Sequence, residues 1–189
     1  MTTPASLPQI AVIVGSNRRD SINRKLAHAL ARLGAGKFEA KFLRIDDLPM
    51  FNADLESNLP PEVARFKDEL AQAHGVIFVT PEHDRSIPAV LKNAVDWGAR
   101  PYGKNSWAGK PGFVTGTSPG ALGSALAQQH LRSVMATSLD MTLLSGESYI
   151  TFKPDLIDDA GNIADDGTRK FLQNFVDRFA TLVTRLSPA

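Results

Sequence analysis

Gly75-Val76-Ile77-Phe78-Val79-Thr80 is the segment that most narrows the folds open to this chain. Its apolar side chains stand at consecutive positions, and β-branched residues are among them. Such a strand needs cover on both faces, which a parallel sheet flanked by helices provides and a one-sided antiparallel sheet does not. Ile10–Val14, Lys41–Ile45, Pro111–Thr117 and Leu139–Leu144 read as four further strands. Helical patterns lie between them. Ser21–Leu33 carries Ile22, Leu26, Ala29, Leu30 and Leu33 at helical spacing, with Ser21 as N-cap and Gly34–Gly36 as the stop. Pro60 and Pro61 open a second helix with Val63, Phe66 and Leu70 on one face. Pro88 to about Gly98 and Gly120–Ala136 make the third and fourth. Phe171, Phe175, Phe179, Leu182 and Leu186 mark a closing amphipathic helix.

This alternation predicts an α/β architecture, a five-stranded parallel sheet with helices on both faces. The chain of 189 residues suits one domain over 1–189, with a core from about 9 to 186. Ligands of such sheets sit outside the C-terminal strand ends, at the switch in strand order. The loops after strands one, three and four are therefore the places to look for a site.

Composition removes several classes of function. A net charge of +1 gives no case for a nucleic-acid or membrane-surface partner, and no apolar run suggests a membrane span. The absence of cysteine excludes disulfides, thiolate catalysis and Cys-ligated metal centres. Four histidines without metal-ligand spacing give no metal site, and the acidic run Asp155, Asp158, Asp159, Asp165, Asp166 lacks the spacing of a calcium loop. Met1–Pro8 is short and polar, unlike a secretion signal, and the expected location is the cytoplasm.

The first loop, Gly15–Asn23, presents Ser16, Arg18, Ser21 and Asn23 at a helix N-terminus, a setting that favours an anion such as phosphate. It is neither a Gly-x-x-x-x-Gly-Lys phosphate loop nor a Gly-x-Gly-x-x-Gly dinucleotide turn. A capped helix with a solvated turn is the plainer alternative. The second loop, Pro81-Glu82-His83-Asp84-Arg85-Ser86-Ile87-Pro88, is stiffened by two prolines and could grip a flat, polar-edged ring; equally, Asp84 or Ser86 could cap the next helix. The third, Thr115–Gly123, has glycines that let backbone approach a ligand.

Taken together these segments resemble the NADPH-dependent FMN reductases, a group that includes bacterial quinone, chromate and azo-dye reductases. Gly15-Ser16-x-Arg18-x-x-Ser21-x-Asn23 is similar to that family's phosphate loop. Pro81 to Trp97 is similar to its Pro-Glu-Tyr-Asn segment and following helix, and Ser118-Pro119-Gly120-Ala121-Leu122-Gly123 with Gln128–Arg132 to its third loop and helix. The resemblance runs from about Ile10 to Leu186. It implies a flavodoxin-like three-layer sandwich of strand order 2-1-3-4-5, and a dimer or tetramer. FMN would be the cofactor, NAD(P)H the co-substrate, and a quinone, flavin, azo compound or metal oxyanion the acceptor. Ser16, Arg18, Ser21 and Asn23 would hold the FMN phosphate. Pro81, Glu82, His83, Asp84 and Ser86 would line the ring, and Ser118 and Gly120 its other edge. Arg19 and Arg85 are candidate contacts to the dinucleotide. The flavin performs the hydride chemistry, so no side chain is assigned a catalytic role.

His83 and Asp84 stand where the family has Tyr and Asn. An ionised Asp cannot donate to a flavin oxygen, which leaves Asp84 turned away, paired with Arg85, or protonated. Tyr102 and Trp107 lie in a loop that could cover the flavin or meet another subunit. Trp97 and His130 suit core or interface positions, and His28 and His74 the surface. A flavodoxin-type electron carrier and a flavin-free regulatory or scaffold protein are the competing functions.

Overall fold

In the computed structural model, which describes residues 6–186, Gln9–Val14 forms β1 at the middle of the sheet. Residues 1–5 of the N-terminal segment lie outside the described residues. β1 pairs in parallel with β2 (Glu39–Phe42) on one side and β3 (Gly75–Val79) on the other. β3 pairs with β4 (Pro111–Ser118), which pairs with β5 (Thr142–Leu143), so the order is 2-1-3-4-5 as expected. Side chains alternate strictly between two cores. Ala11, Ile13, Val76, Phe78 and Val114 face α2 (Pro61–Gln72), α3 (Ala89–Ala99) and α4 (Ala125–Ser133). Ile10, Val12, Ile77, Val79 and Phe113 face α1 (Ile22–Leu33) and α5 (Asp166–Leu186). No helix among the described residues is long and apolar enough to cross a membrane.

The sheet has six strands rather than five. β6 (Tyr149–Thr151) runs parallel to the upper half of β4, pairing Gly116–Ser118, while β5 covers only Pro111 and Gly112. One edge of β4 is thus shared by two short strands, and the fifth strand is much shorter than Leu139–Leu144. The second strand also starts earlier than Lys41. Pairing begins at Gln9 with Glu39, whereas Leu43 and Ile45 are buried by packing beyond the strand end. The fourth helix starts at Ala125, not Gly120. Gly123 (φ 51°) and Ser124 (φ 65°) are left-handed, and a Cβ at Gly123 would lie 2.8 Å from the Ile150 nitrogen. The left-handed pair interrupts the helix before Ala125, and the close approach of Ile150 leaves no room for a side chain at 123. The helix ends in a wider π-turn over Val134–Ser138.

Trp107 is a core residue that meets no solvent. It is 0 % exposed, lies 5.6 Å from the Phe78 ring and donates from Nε1 to Val95 O at 3.0 Å. Only glycine fits at position 98 beneath it, where a Cβ would stand 2.4 Å from the indole. Its loop neighbour Tyr102 remains 91 % exposed. Trp97 is a core residue bonded to Pro49 O at 2.7 Å, and His130 is exposed. The acidic run serves local ends: Asp158 accepts from Asn162, Asp159 pairs with Lys25, and Asp165 caps α5 through the Thr168 amide.

Candidate functional site

β1 delivers the chain directly into the first loop. Gly15 N–H still donates to Val79 O at 2.9 Å, so the loop leaves the sheet from a fixed point. Ser21 Oγ then accepts from Arg24 N–H at 3.3 Å and caps α1. A hydroxyl that accepts in this way keeps its own proton for another partner. The amides of Ile22 and Asn23 in the first turn have no acceptor among the described residues, as the opening amides of a helix do not, and the helix end is partially positive. Ser16, Arg18 and Ser21 stand around them.

These residues line a cleft of about 170 Å³ with Asn23, Pro81, Glu82 and His83 on one wall and Thr117, Ser118 and Pro119 on another. The donor set fits a phosphate: hydroxyls, a guanidinium and free helix amides converge, and the one carboxylate among the lining residues, Glu82, is engaged with Arg85 and the first amides of α4. A pocket that encloses a whole nucleotide-sized ligand runs to roughly 300–1,000 Å³. This cleft therefore encloses part of an FMN, and the remainder would lie along the loops at its rim.

Asn23 has a different partner from the one expected. It is buried, its Nδ2 donates to Thr117 O at 2.9 Å, and its Oδ1 accepts from Thr117 N–H at 2.9 Å. The side chain behaves as a piece of backbone that fastens the start of α1 to the end of β4. Its main-chain amide, not the carboxamide, is what it offers to the cleft.

The second loop is a tight turn. His83 N–H donates to Ser86 O at 3.0 Å and Ser86 N–H to His83 O at 2.8 Å. The two residues between are both left-handed, Asp84 at φ 48° and Arg85 at φ 65°, as a two-residue type I′ turn requires. Asp and Asn enter that region at lower cost than most residues. Position 84 thus has a backbone reason to be Asp or Asn. Asp84 is exposed at the tip, and Arg85 pairs not with it but with Glu82, at 3.2 Å.

Glu82 does more than line the cleft. Its Oε2 accepts from the amides of Leu126 at 2.9 Å and Ala127 at 3.3 Å, capping α4 where Ser124 makes no side-chain cap. Ser86 Oγ lies 2.8 Å from His130 Nδ1 on the same helix. In the third loop, Ser118 Oγ donates to Gly120 O at 3.3 Å. Gln128 Nε2 reaches Gly123 O at 3.2 Å and Ser148 O at 3.1 Å, tying α4 to that loop and to the start of β6.

Ser16, Arg18, Ser21, Asn23, Pro81, Glu82, His83 and Ser118 therefore meet in one place. Gly120 adjoins it through Ser118. Asp84 and Arg85 occupy the exposed turn, Ser86 is directed to His130, and Arg19 is exposed on the first loop. Ile22, Thr117 and Pro119 also line the cleft and were not picked out from the sequence. Thr117 was findable, since it closes a strand at the ligand-binding end of the sheet.

A family model described as NADPH-dependent FMN reductase matches residues 8–155. A 2-hydroxy-1,4-benzoquinone reductase of a Burkholderia species is 49% identical over 176 residues, which cover 93% of this chain and 96% of that one. A quinone reductase of Pseudomonas putida is 47% identical, covering 92% and 94%. Among solved structures, the flavoenzyme NAD(P)H:(acceptor) oxidoreductase FerB of Paracoccus denitrificans superposes with a TM-score of 0.91 at 43% identity, covering 95% of this chain and 98% of that one. With the strand order, the three loops and the phosphate-type donor set in agreement, the chain belongs to the NADPH-dependent FMN reductase family, an oxidoreductase with FMN as cofactor and NAD(P)H as co-substrate.

Proposed function

We propose that this protein passes a hydride from NAD(P)H to a small quinone-type acceptor in a ping-pong cycle, with flavins, azo compounds and metal oxyanions as other acceptor classes to be tested. The observation that carries the reading is the cleft in which the loops after β1, β3 and β4 converge. The quinone reductases among its relatives support the acceptor class. When bound, FMN supplies hydride acceptance and donation at its N5 position. Ser16, Arg18, the Ser21 hydroxyl and the amides of Ile22 and Asn23 hold its phosphate. Backbone of Pro81–His83, with Ser118 and Gly120, borders its ring, and amides there stabilise negative charge. Asp84 and Ser86 shape the turn beside the ring. Arg19 and Arg85, both exposed, would meet the dinucleotide's charge, Arg85 after exchanging its contact with Glu82. NAD(P)H and a proton convert a quinone to a hydroquinone and NAD(P)+. Donor and acceptor would occupy one site in turn, so NAD(P)+ would leave before the acceptor enters. The exposed Tyr102, Leu122 and Leu126 offer surface to a second copy of the chain, in keeping with a homodimer or homotetramer.

The purified protein is expected to be yellow, to oxidise NADPH or NADH when a benzoquinone is supplied, and to give parallel double-reciprocal lines. A colourless protein that takes up no added FMN and oxidises neither donor contradicts the proposal; intersecting lines contradict the ping-pong order alone.

Asp84 supplies a finer test. Its carboxylate has no cationic partner in the turn and opposes negative charge on the reduced ring. Asp84→Asn keeps a residue that tolerates the left-handed turn, so the fold is held constant. The flavin midpoint potential is expected to rise, by no more than about 20 mV because water screens an exposed charge. An unchanged or lowered potential in spectroelectrochemical titration rules out a charge effect of Asp84 on the ring.

A further inference from the structure

A second cleft, of about 390 Å³, opens at the same end of the sheet over the exits of β1 and β2. Ser16 lines both clefts, so the two adjoin at that residue. Three features of the second one point the same way. Phe42, the last residue of an edge strand, is 39 % exposed, and its ring is stacked on His28 at 4.7 Å. This braced aromatic with open surface suits a planar base. The acidic groups nearby are already engaged: Asp46 accepts from Arg44 Nε at 2.9 Å, a bond that holds its carboxyl below the usual carboxylate value, and Asp47 lies 3.0 Å from Arg65. Arg24, whose charge also acts on Asp46, makes no guanidinium ion pair or hydrogen bond among the described residues. It is the cation left over.

Reach fits as well. Adjacent strands lie about 4.8 Å apart, so in the order 2-1-3-4 the end of β2 stands roughly 10–15 Å from the ends of β3 and β4. An extended dinucleotide covers that span.

We propose that this cleft receives the adenosine 2′-phosphate end of NADPH, with the base on Phe42 and the 2′-phosphate at Arg24, and that it makes NADPH the preferred donor over NADH. The proposal rests on the NAD(P)H reading above.

The test is calorimetric titration of the FMN-loaded protein with adenosine 2′,5′-bisphosphate. One saturable site per chain is expected, displaced by NADPH, with adenosine 5′-monophosphate about tenfold or more weaker. Arg24→Ala is expected to weaken the bisphosphate about tenfold and to narrow the NADPH-to-NADH ratio of kcat/KM by a similar factor, with FMN absorbance per chain unchanged. Phe42→Ala is expected to weaken both adenosine ligands. No saturable binding to the wild type, equal affinity for the two ligands, or undiminished bisphosphate binding by Arg24→Ala each overturns the proposal. A protein that takes up no FMN or oxidises neither donor overturns the parent reading instead, and the same titration on that preparation still decides the cleft.

Discussion

Gly116→Ala is expected to lower the melting temperature by about 8 °C or more, or to leave no soluble protein. A Cβ at this position would stand 2.0 Å from Thr80 O, 2.9 Å from Thr80 C and 2.5 Å from Ser124 Oγ. The hydroxyl could rotate away. The carbonyl cannot, because it belongs to the backbone just past β3, whose next hydrogen bond, from Thr80 N–H to Thr115 O at 2.9 Å, fixes it against β4. Relief would require the two central strands to part where the second and third loops leave the sheet. Overpacking by one methyl costs about 1–3 kcal/mol where side chains can yield. With backbone as the obstacle we expect at least about 4 kcal/mol, at about 2–4 °C per kcal/mol for a chain of this size. Gly120→Ala is the control, since its Cβ would meet only Ser118 Oγ at 3.7 Å. Scanning calorimetry of both apo-proteins measures the difference. A Gly116→Ala protein that melts with the wild type would mean that the strand ends are far less tightly apposed than described.

Asn23→Ala is expected to weaken both the fold and the flavin site. It removes two hydrogen bonds at once and leaves the N–H and C=O of buried Thr117 without partners. Each orphaned group costs about 1–3 kcal/mol, for a combined loss of roughly 2–6 kcal/mol and a fall in melting temperature of roughly 4–24 °C. The FMN dissociation constant is expected to rise about tenfold or more, because the phosphate loop and the third loop are no longer joined. Asn23→Asp separates the parts: it keeps the acceptor for the Thr117 amide but sets a second oxygen against the Thr117 carbonyl. The decisive measurement is on apo-protein. A lowered apo melting point supports a bracing role, whereas lost FMN affinity with an unchanged apo melting point would show that the side chain acts on the phosphate alone.

What the sequence could disclose, and what it could not, divides along range of interaction. The doubly buried β3, the Ser21 cap and the prolines opening α2 depend on local patterning and were all readable. The three loops were readable as places because parallel topology dictates where ligand loops emerge. β6 was invisible: Tyr149-Ile150-Thr151 has one buried apolar residue and no periodicity, and it exists because β4 has an unpaired upper edge. The false start of α4 at Gly120 is likewise a long-range matter, since the left-handed Gly123 lies against the backbone of Ile150, far along the chain. Within the site, residue types were predictable and directions were not. Asn23 and Glu82 stand out in the sequence as cofactor contacts, whereas their side chains bond to Thr117 and to the start of α4. Gly116 reads as a concession to a ligand, and its missing side chain instead makes room for Thr80. Trp107 looked like a loop aromatic because only packing against Phe66 and Phe78 reveals it as core.

The two anchors of the second loop have a thermodynamic consequence. Glu82 and Ser86 fasten that loop to α4, Gln128 fastens α4 to the third loop, and Asn23 fastens the third loop to the first. The connections run unbroken from the second loop through α4 and the third loop to the first, around the place where the cofactor would sit. Preorganisation of this kind removes most of the ordering entropy that binding otherwise costs. FMN is therefore expected to enter the apo-protein in a single concentration-dependent fluorescence phase without a slow isomerisation after it. Once bound, its residence should be governed by how fast the phosphate escapes its cradle.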